Sequence, residues 1–216
     1  MTPSLPENIN PTSPNLEHHR AAIRKRRAAL SSEERQHLSQ KICQLVLSSD
    51  YFIKANEVAL YLAAQGEVEA KALIDFALEN NKRIYLPALD PDDKTRMHFV
   101  RYKKEAALIL NRFGMPEPVL AEDKIIAAKK LDLVLCPLVA FDEQANRVGM
   151  GGGFYDRHFA FKNDVKAETK HAASPPILVG LAYDFQKVDA IQPAPWDVPM
   201  SAVVSEKKIY LPHKNC

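Results

Sequence analysis

Apolar positions along this chain recur at two different spacings, and each change of spacing marks an element. From residue 16 to about 49 the spacing is helical with one interruption. The basic segment RAAIRKRRAAL runs into Ser31-Ser32-Glu33-Glu34, an N-cap followed by acidic first-turn residues, after which Leu38, Ile42, Leu45 and Val46 share a face. Two helices are therefore predicted. Residues 57–62 (EVALYL) are short, apolar and bounded by polar residues, as in a buried strand, and Gly66 turns the chain after them. Ala70, Leu73, Ile74, Ala77 and Leu78 then line one helical face up to Asn80-Asn81, and residues 83–86 form a second strand, read as closed by Pro87.

Strand, helix, strand is a βαβ unit, and the pattern continues. It predicts an alternating strand at 97–102, a helix near 122–129, a strong strand at 131–136, a helix from about Phe154, and late strands near 177–182 and 202–204. This alternation predicts an α/β fold: a mostly parallel open sheet with helices on both faces, three layers in a single domain over residues 16–216. Residues 1–15 carry Pro3, Pro6, Pro11 and Pro14 among polar neighbours and are expected to be a flexible tail, while residues 163–176 read as a surface loop.

Composition narrows the class without naming it. With 216 residues, 46% hydrophobic and 26% charged, the chain has enough apolar content for a core and resembles no fibrous, disordered or disulfide-scaffold composition. Its 29 basic and 27 acidic residues leave +2, too weak a field to steer it onto nucleic acid or an acidic membrane. No run reaches the ~18 apolar residues of a membrane span and the N-terminus has no apolar signal core, so a cytoplasmic protein without a membrane partner is expected, and it is read as a monomer with no nucleic-acid partner. Cys43, Cys136 and Cys216 are widely spaced and read as reduced thiols, with Cys136 buried and inert.

The strongest local signal is glycine. Four of the seven glycines, Gly149, Gly151, Gly152 and Gly153, fall within five residues of FDEQANRVGMGGGFYDRHF. Glycines between a strand and a helix let the backbone approach a ligand, and the free N–H groups of the following helix favour an anion, with phosphate the natural guest. An unliganded turn has the same composition, but Arg147, Tyr155, Asp156 and Arg157 crowd useful chemistry around this one. Neither the dinucleotide fingerprint nor the P-loop fits, because Phe154 stands at the third glycine position and no G-K-[ST] follows.

Arg20, Arg24 and Arg27 share a face of the first helix, read as a solvated face, an RNA-binding surface or a clamp over the glycine loop. Asp156, Asp197 in PAPWDVP and Asp184 in AYDFQ are each placed either to meet a metal that travels with phosphate or to cap a turn, and Glu67 after the 57–62 strand has the same ambiguity. There is no G-x-S-x-G and no H-x-x-x-H, so neither a hydrolase triad nor a zinc site is indicated.

The segments RAAIRKRRAALSSEER, VALYLAAQGEVEAKALI, RIYLPAL, FGMPEP, LVLCPLVAFDEQANRVGMGGGFYDR and VGLAYDFQKV, with PWDVPMSAVVSE, follow one another as in the 5-formyltetrahydrofolate cyclo-ligase family, which this chain resembles over roughly residues 20 to 207. The block R-x-G-x-G-x-G-[FY]-Y-D is the most specific of them. The resemblance implies ATP- and Mg²⁺-dependent closure of 5-formyltetrahydrofolate to 5,10-methenyltetrahydrofolate, with ATP phosphorylating the formyl oxygen before N10 attacks.

By the same resemblance, ATP would be held by Arg20 and the run Arg147, Val148, Gly149, Met150, Gly151, Gly152, Gly153, Phe154 and Tyr155. Arg147 and Asp156 would act in catalysis, and Asp156 and Asp197 would hold the metal. The reduced folate would lie near Leu62, Glu67, residues 150–154 and Trp196. Two positions depart from the family pattern: Leu16 stands where members often carry Lys, and Gly152 where some carry Lys, so Arg24 is the candidate to replace that charge. A phosphosugar- or CoA-handling enzyme and an RNA-associated protein using the basic helix are the alternative readings.

Overall fold

The computed structural model describes residues 8–9, 16–163 and 176–212. In chain order its elements are β1 (Asn8–Ile9), α1 (Leu16–Ala28), α2 (Ser32–Leu47), α3 (Asp50–Lys54), β2 (Glu57–Ala59), α4 (Lys71–Glu79) and β3 (Arg83–Leu89). There follow β4 (Met97–Tyr102), β5 (Leu108–Leu110), β6 (Pro116–Pro118), β7 (Ile125–Ile126), β8 (Leu133–Pro137), β9 (Ala140–Phe141) and β10 (Arg147–Val148). The last are α5 (Phe154–His158), β11 (Ile177–Leu181), β12 (Ala190–Ile191), β13 (Ala202–Val204) and β14 (Ile209–Tyr210).

Eight strands form one sheet in the order β14-β13-β11-β8-β2-β3-β4-β7. The five central strands, β13 to β3, run parallel, and the outer pairings of β14, β4 and β7 are antiparallel. Side chains alternate across the sheet as its pleat requires. Val58, Leu133, Leu135, Val179, Leu181 and Val204 face α2, α3 and α4 in one buried cluster, whereas Ala59, Val134, Cys136, Leu178 and Val203 face Phe159, Val198 and Met200 in another. The second covering layer is thin, consisting of the short helix α5, the 3-10 turn Ala160–Lys162 and loops. Helix α1 stands apart, packing Leu16 and Ile23 on Val139, Ala140, Val148, Val188 and Ile191.

Local chemistry sets the boundaries. Ser31 Oγ accepts from the Glu34 amide at 3.1 Å while Glu34 Oε2 accepts from the Ser31 amide at 2.8 Å, the reciprocal cap that separates α1 from α2. Strand β3 runs through Pro87 instead of ending there. Tyr85 turns its carbonyl toward β2, where it accepts from Leu60 N; Pro87 faces the same side and has no amide to carry that parallel ladder further, whereas the antiparallel pairing with β4 continues through Pro87 opposite Phe99.

The helix expected near 122–129 is absent. The 3-10 turns Glu122–Lys124 and Ala128–Lys130 flank the edge strand β7 there, whose Ile125 and Ile126 pair with Val100 and Phe99. Within the expected tail, Asn8–Ile9 pair in parallel with Ala190–Ile191. The loop at 163–176 lies, but for its two ends, outside the described residues, as does Cys216. Cys43 and Cys136 are free and buried, and burial pushes their thiols up to about 11 and about 12, which fits reduced thiols and, for Cys136, the inert reading.

Packing between β8's continuation and β11 is tight enough to test. A Cβ on Gly180 would sit 2.5 Å from Leu138 Cδ2 and 3.1 Å from Val203 Cγ2. Gly180→Ala is expected to cost about 1–3 kcal/mol by overpacking. Calorimetry should read this as a Tm lowered by roughly 2–4 °C for each kcal/mol. An unchanged Tm would show that Leu138 repacks freely.

Candidate functional site

The topology itself makes a crevice. Strands β2 and β8 are parallel neighbours, but the chain leaves β2 toward α4 on one face of the sheet and leaves β8 toward α5 on the other. Beyond the carboxyl ends of two such strands the departing loops diverge, and ligands of open α/β sheets bind there. The loop after β2 carries Leu62, Gly66 and Glu67; the segment after β8 carries the glycine cluster.

The glycines do not follow β8 directly. The β9–β10 hairpin intervenes, built on Asp142, whose carboxylate is buried and accepts from the amides of Gln144, Asn146 and Ile191 at 2.9–3.0 Å. This turn fixes Arg147 and Val148 at the mouth of the glycine loop.

Arg20 meets that loop. Its Nε donates to Gly149 O at 2.9 Å, and its Nη1 is held by Glu17 Oε1 at 2.5 Å. Gly151 has φ +95°, and a Cβ there would come within 3.3 Å of Arg20 Nη1, so both the conformation and the space call for glycine. The solvated-face reading of the helix fails for two of its three arginines: Arg20 is on the loop, and Arg27 is 1% exposed. Arg24 lies half-buried between them and makes no hydrogen bond or ion pair among the described residues.

A second cluster sits around α5. Arg147 Nη1 donates to Val198 O at 2.6 Å and approaches Met200 Sδ at 3.1 Å, while its Nη2 pairs with Asp156 Oδ1. Asp156 Oδ1 also accepts from Val198 N at 3.1 Å, and Asp197 Oδ2 accepts from Ala194 N at 2.8 Å. Burial raises the Asp197 carboxyl above its ordinary range, and the neighbouring Asp156 charge raises it further, against the pull of the Ala194 amide and Arg147. The two aspartates expected to hold a metal are thus close enough to repel. No group of three or more potential ligands occurs among the described residues, and Mg²⁺ with its waters and phosphate oxygens needs only one or two carboxylates. Asp184 is excluded from this set, being held by Lys207, Tyr210 and Ser205.

Glu67 forms the third part. It is mostly buried, its Oε2 accepts from Ala64 N at 3.1 Å, and its Oε1 lies 3.9 Å from Arg27 Nη1. Burial pushes its carboxyl above the usual range, opposed by the Ala64 amide and Arg27. Tyr155, strongly desolvated, lies within the fields of both Glu67 and Arg147 and joins the two clusters. Leu62 packs on the core, Met150 Sδ is 3.9 Å from Arg27 Nη2, and Phe154 shares its ring with Arg157. Trp196 is 64% exposed and its side chain joins none of these contacts.

Arg27 is the functional residue that the sequence signals least directly. Its position seven residues after Arg20 and four after the buried Ile23 puts it on the same helix face as both.

Comparison with known proteins identifies the family. Residues 13–206 match the model of the 5-formyltetrahydrofolate cyclo-ligase family. A 5-formyltetrahydrofolate cyclo-ligase of Escherichia coli (strain K12) is 35% identical over 188 residues, 87% of this chain and 98% of its own length. One from Haemophilus influenzae is 38% identical over 181 residues, 84% and 92% respectively. The NMR structure of Aquifex aeolicus 5,10-methenyltetrahydrofolate synthetase superposes with a TM-score of 0.76 at 29% identity, covering 94% of this chain and 95% of that one.

Proposed function

The chain belongs to the 5-formyltetrahydrofolate cyclo-ligase family, and from that premise we propose that it closes 5-formyltetrahydrofolate to 5,10-methenyltetrahydrofolate at the expense of ATP, with Mg²⁺. The observation that carries the reading is the Arg20 Nε to Gly149 O bond of 2.9 Å, which folds a cationic helix over a glycine loop at the sheet's switch point, beside a buried carboxylate. Both alternatives lose ground to it. An RNA-binding use needs the arginines outside, and a phosphosugar or CoA site gives Glu67 no task.

Each group then has a place in the reaction. Arg20 and the amides around Gly149, Gly151 and Gly153 receive phosphate oxygens, helped by the amino end of α5. Asp156 and Asp197 would hold Mg²⁺, whose charge would relieve their mutual repulsion and offset that of the phosphates. ATP supplies the phosphoryl group that turns the formyl oxygen into a leaving group. Arg147, kept in place by Asp156 and Val198 O, puts a fixed cation beside the transferring group. Glu67 accepts from ring N–H groups of the reduced folate, with Tyr155, Phe154 and Met150 shaping the wall. No protein nucleophile is required, because the work is positioning and charge stabilisation.

Among the described residues no helix is long and apolar enough to cross a membrane, and we read the protein as a cytoplasmic monomer whose partner is the small-molecule folate. A coupled assay for ADP tests the reading. ADP release should require both Mg²⁺ and the 5-formyl compound; release indifferent to the folate, or stimulated by a sugar phosphate instead, would overturn it.

A further inference from the structure

Arg27 is almost wholly buried, yet its five N–H donors are poorly used. Nη1 reaches Leu138 O at 3.4 Å, Nη2 faces Met150 Sδ at 3.9 Å, and Nε has no partner. A guanidinium this far from water is costly unless an anion and several acceptors meet it. The nearby anion is Glu67, at 3.9 Å, too far for a hydrogen bond and close enough for a strong charge interaction in so dry a place.

Gly66 makes the approach possible. It takes φ +75°, and a Cβ on it would lie 3.1 Å from Arg27 O, so the turn carrying Glu67 rests directly on the backbone of α1. The pair is therefore joined twice, through backbone packing and through charge. Because Glu67 Oε2 is taken by Ala64 N, Oε1 keeps free acceptor capacity for a ligand.

We propose that Arg27 is a positioning residue for the folate half of the site: anchored on Leu138 O, it holds the Glu67 carboxylate at a fixed distance from the glycine loop, which it touches through Met150, so that one buried cation sets both the aim of the acceptor and its spacing from the phosphate side. This rests on the cyclo-ligase reading. Of the ordinary acceptors on Arg27, Leu138 O belongs to the segment leaving β8, so the guanidinium spans the crevice between the two diverging loops.

The titratable and charged groups facing Glu67 are Arg27 from α1, Glu69 from its own loop, Tyr61 after β2 and Tyr155 from α5, with Tyr183 OH on its backbone carbonyl at 3.2 Å. Burial holds all three tyrosines above their ordinary range, so they stay neutral at working pH. Arg27 is then the main group that favours the charged carboxylate besides the Ala64 amide. Removing it must let the carboxyl take up a proton at higher pH.

The experiment compares wild type, Arg27→Met, Arg27→Lys and Glu67→Gln, plus each Arg27 change in the Glu67→Gln background, for kcat, both KM values and the pH profile of kcat/KM. Arg27→Met should raise KM for 5-formyltetrahydrofolate about tenfold or more while KM for ATP stays within about twofold, and should move the acidic limb of the profile to higher pH. Arg27→Lys should recover part of both effects. In the Glu67→Gln background neither change should move the folate KM by more than about twofold, since the group they act through is gone. If Arg27→Met does not fold, the Lys variant in the two backgrounds gives the same comparison. A variant that melts lower but keeps its folate KM and pH profile, or equal losses in both backgrounds, overturns the proposal. A wild-type protein with no turnover overturns the cyclo-ligase reading and this proposal together, whereas an active wild type with an indifferent Arg27 removes this proposal alone.

Discussion

Glu67→Gln is expected to lower kcat/KM for 5-formyltetrahydrofolate by about 10²–10³, leaving KM for ATP nearly unchanged. The exchange keeps shape and the acceptor for Ala64 N, whose bond is 3.1 Å, but removes the charge. A hydrogen bond to a charged acceptor is worth about 1.5–3 kcal/mol, and in a closed site a fixed charge that meets developing charge on the substrate is worth somewhat more, about 3–4 kcal/mol. The same change leaves Arg27, 1% exposed, without its anion, so a lower Tm should accompany it. Because burial raises the Glu67 carboxyl, wild-type kcat/KM should fall as pH drops through that raised value, and Glu67→Gln should abolish this limb. Steady-state kinetics decides: kcat/KM within threefold of wild type would remove Glu67 from the folate site.

Asp156→Asn and Asp197→Asn should both cost about 10²–10³ in turnover, with opposite effects on stability. Asp156 accepts from Arg147 and Val198 N, and the Arg147 side chain is 7% exposed. Weakening that pair is expected to cost about 2 kcal/mol, a Tm loss of roughly 4–8 °C in a chain of this size. Asp197 differs. Its carboxyl is raised by burial and by Asp156, so at neutral pH its charge opposes folding, while an Asn keeps an acceptor for Ala194 N. Asp197→Asn should therefore melt at the wild-type temperature or above it while needing more Mg²⁺ for turnover. Thermal melts with and without Mg²⁺, beside rates over a Mg²⁺ series, test both; unchanged rates at limiting Mg²⁺ would remove the aspartates from metal binding.

These effects depend on contacts the sequence shows unevenly. The parallel core was legible because buried strands such as residues 133–136 are continuous apolar runs, and the Ser31–Glu34 cap has a local signature. The glycine loop was legible for a similar reason, since glycine density has few causes. Edge elements were not. In β7, only Ile125 and Ile126 pair, and the alanines and lysines around them suit a helix equally well. The β9–β10 hairpin depends on Asp142 taking amides from its own turn and from Ile191, a partner 49 positions away. Arg27 shows the limit most clearly. Its helical spacing said which face it occupies, but whether that face meets water or the loop at Gly66 is settled by tertiary packing.

The most direct test mixes the purified protein with 5-formyltetrahydrofolate, Mg²⁺ and ATP and follows absorbance in the methenyl-folate band, beside a control without ATP. The expected result is a rise that requires ATP, matched one for one by ADP. A folded protein that produces no rise, or one that proceeds equally without ATP, would contradict it.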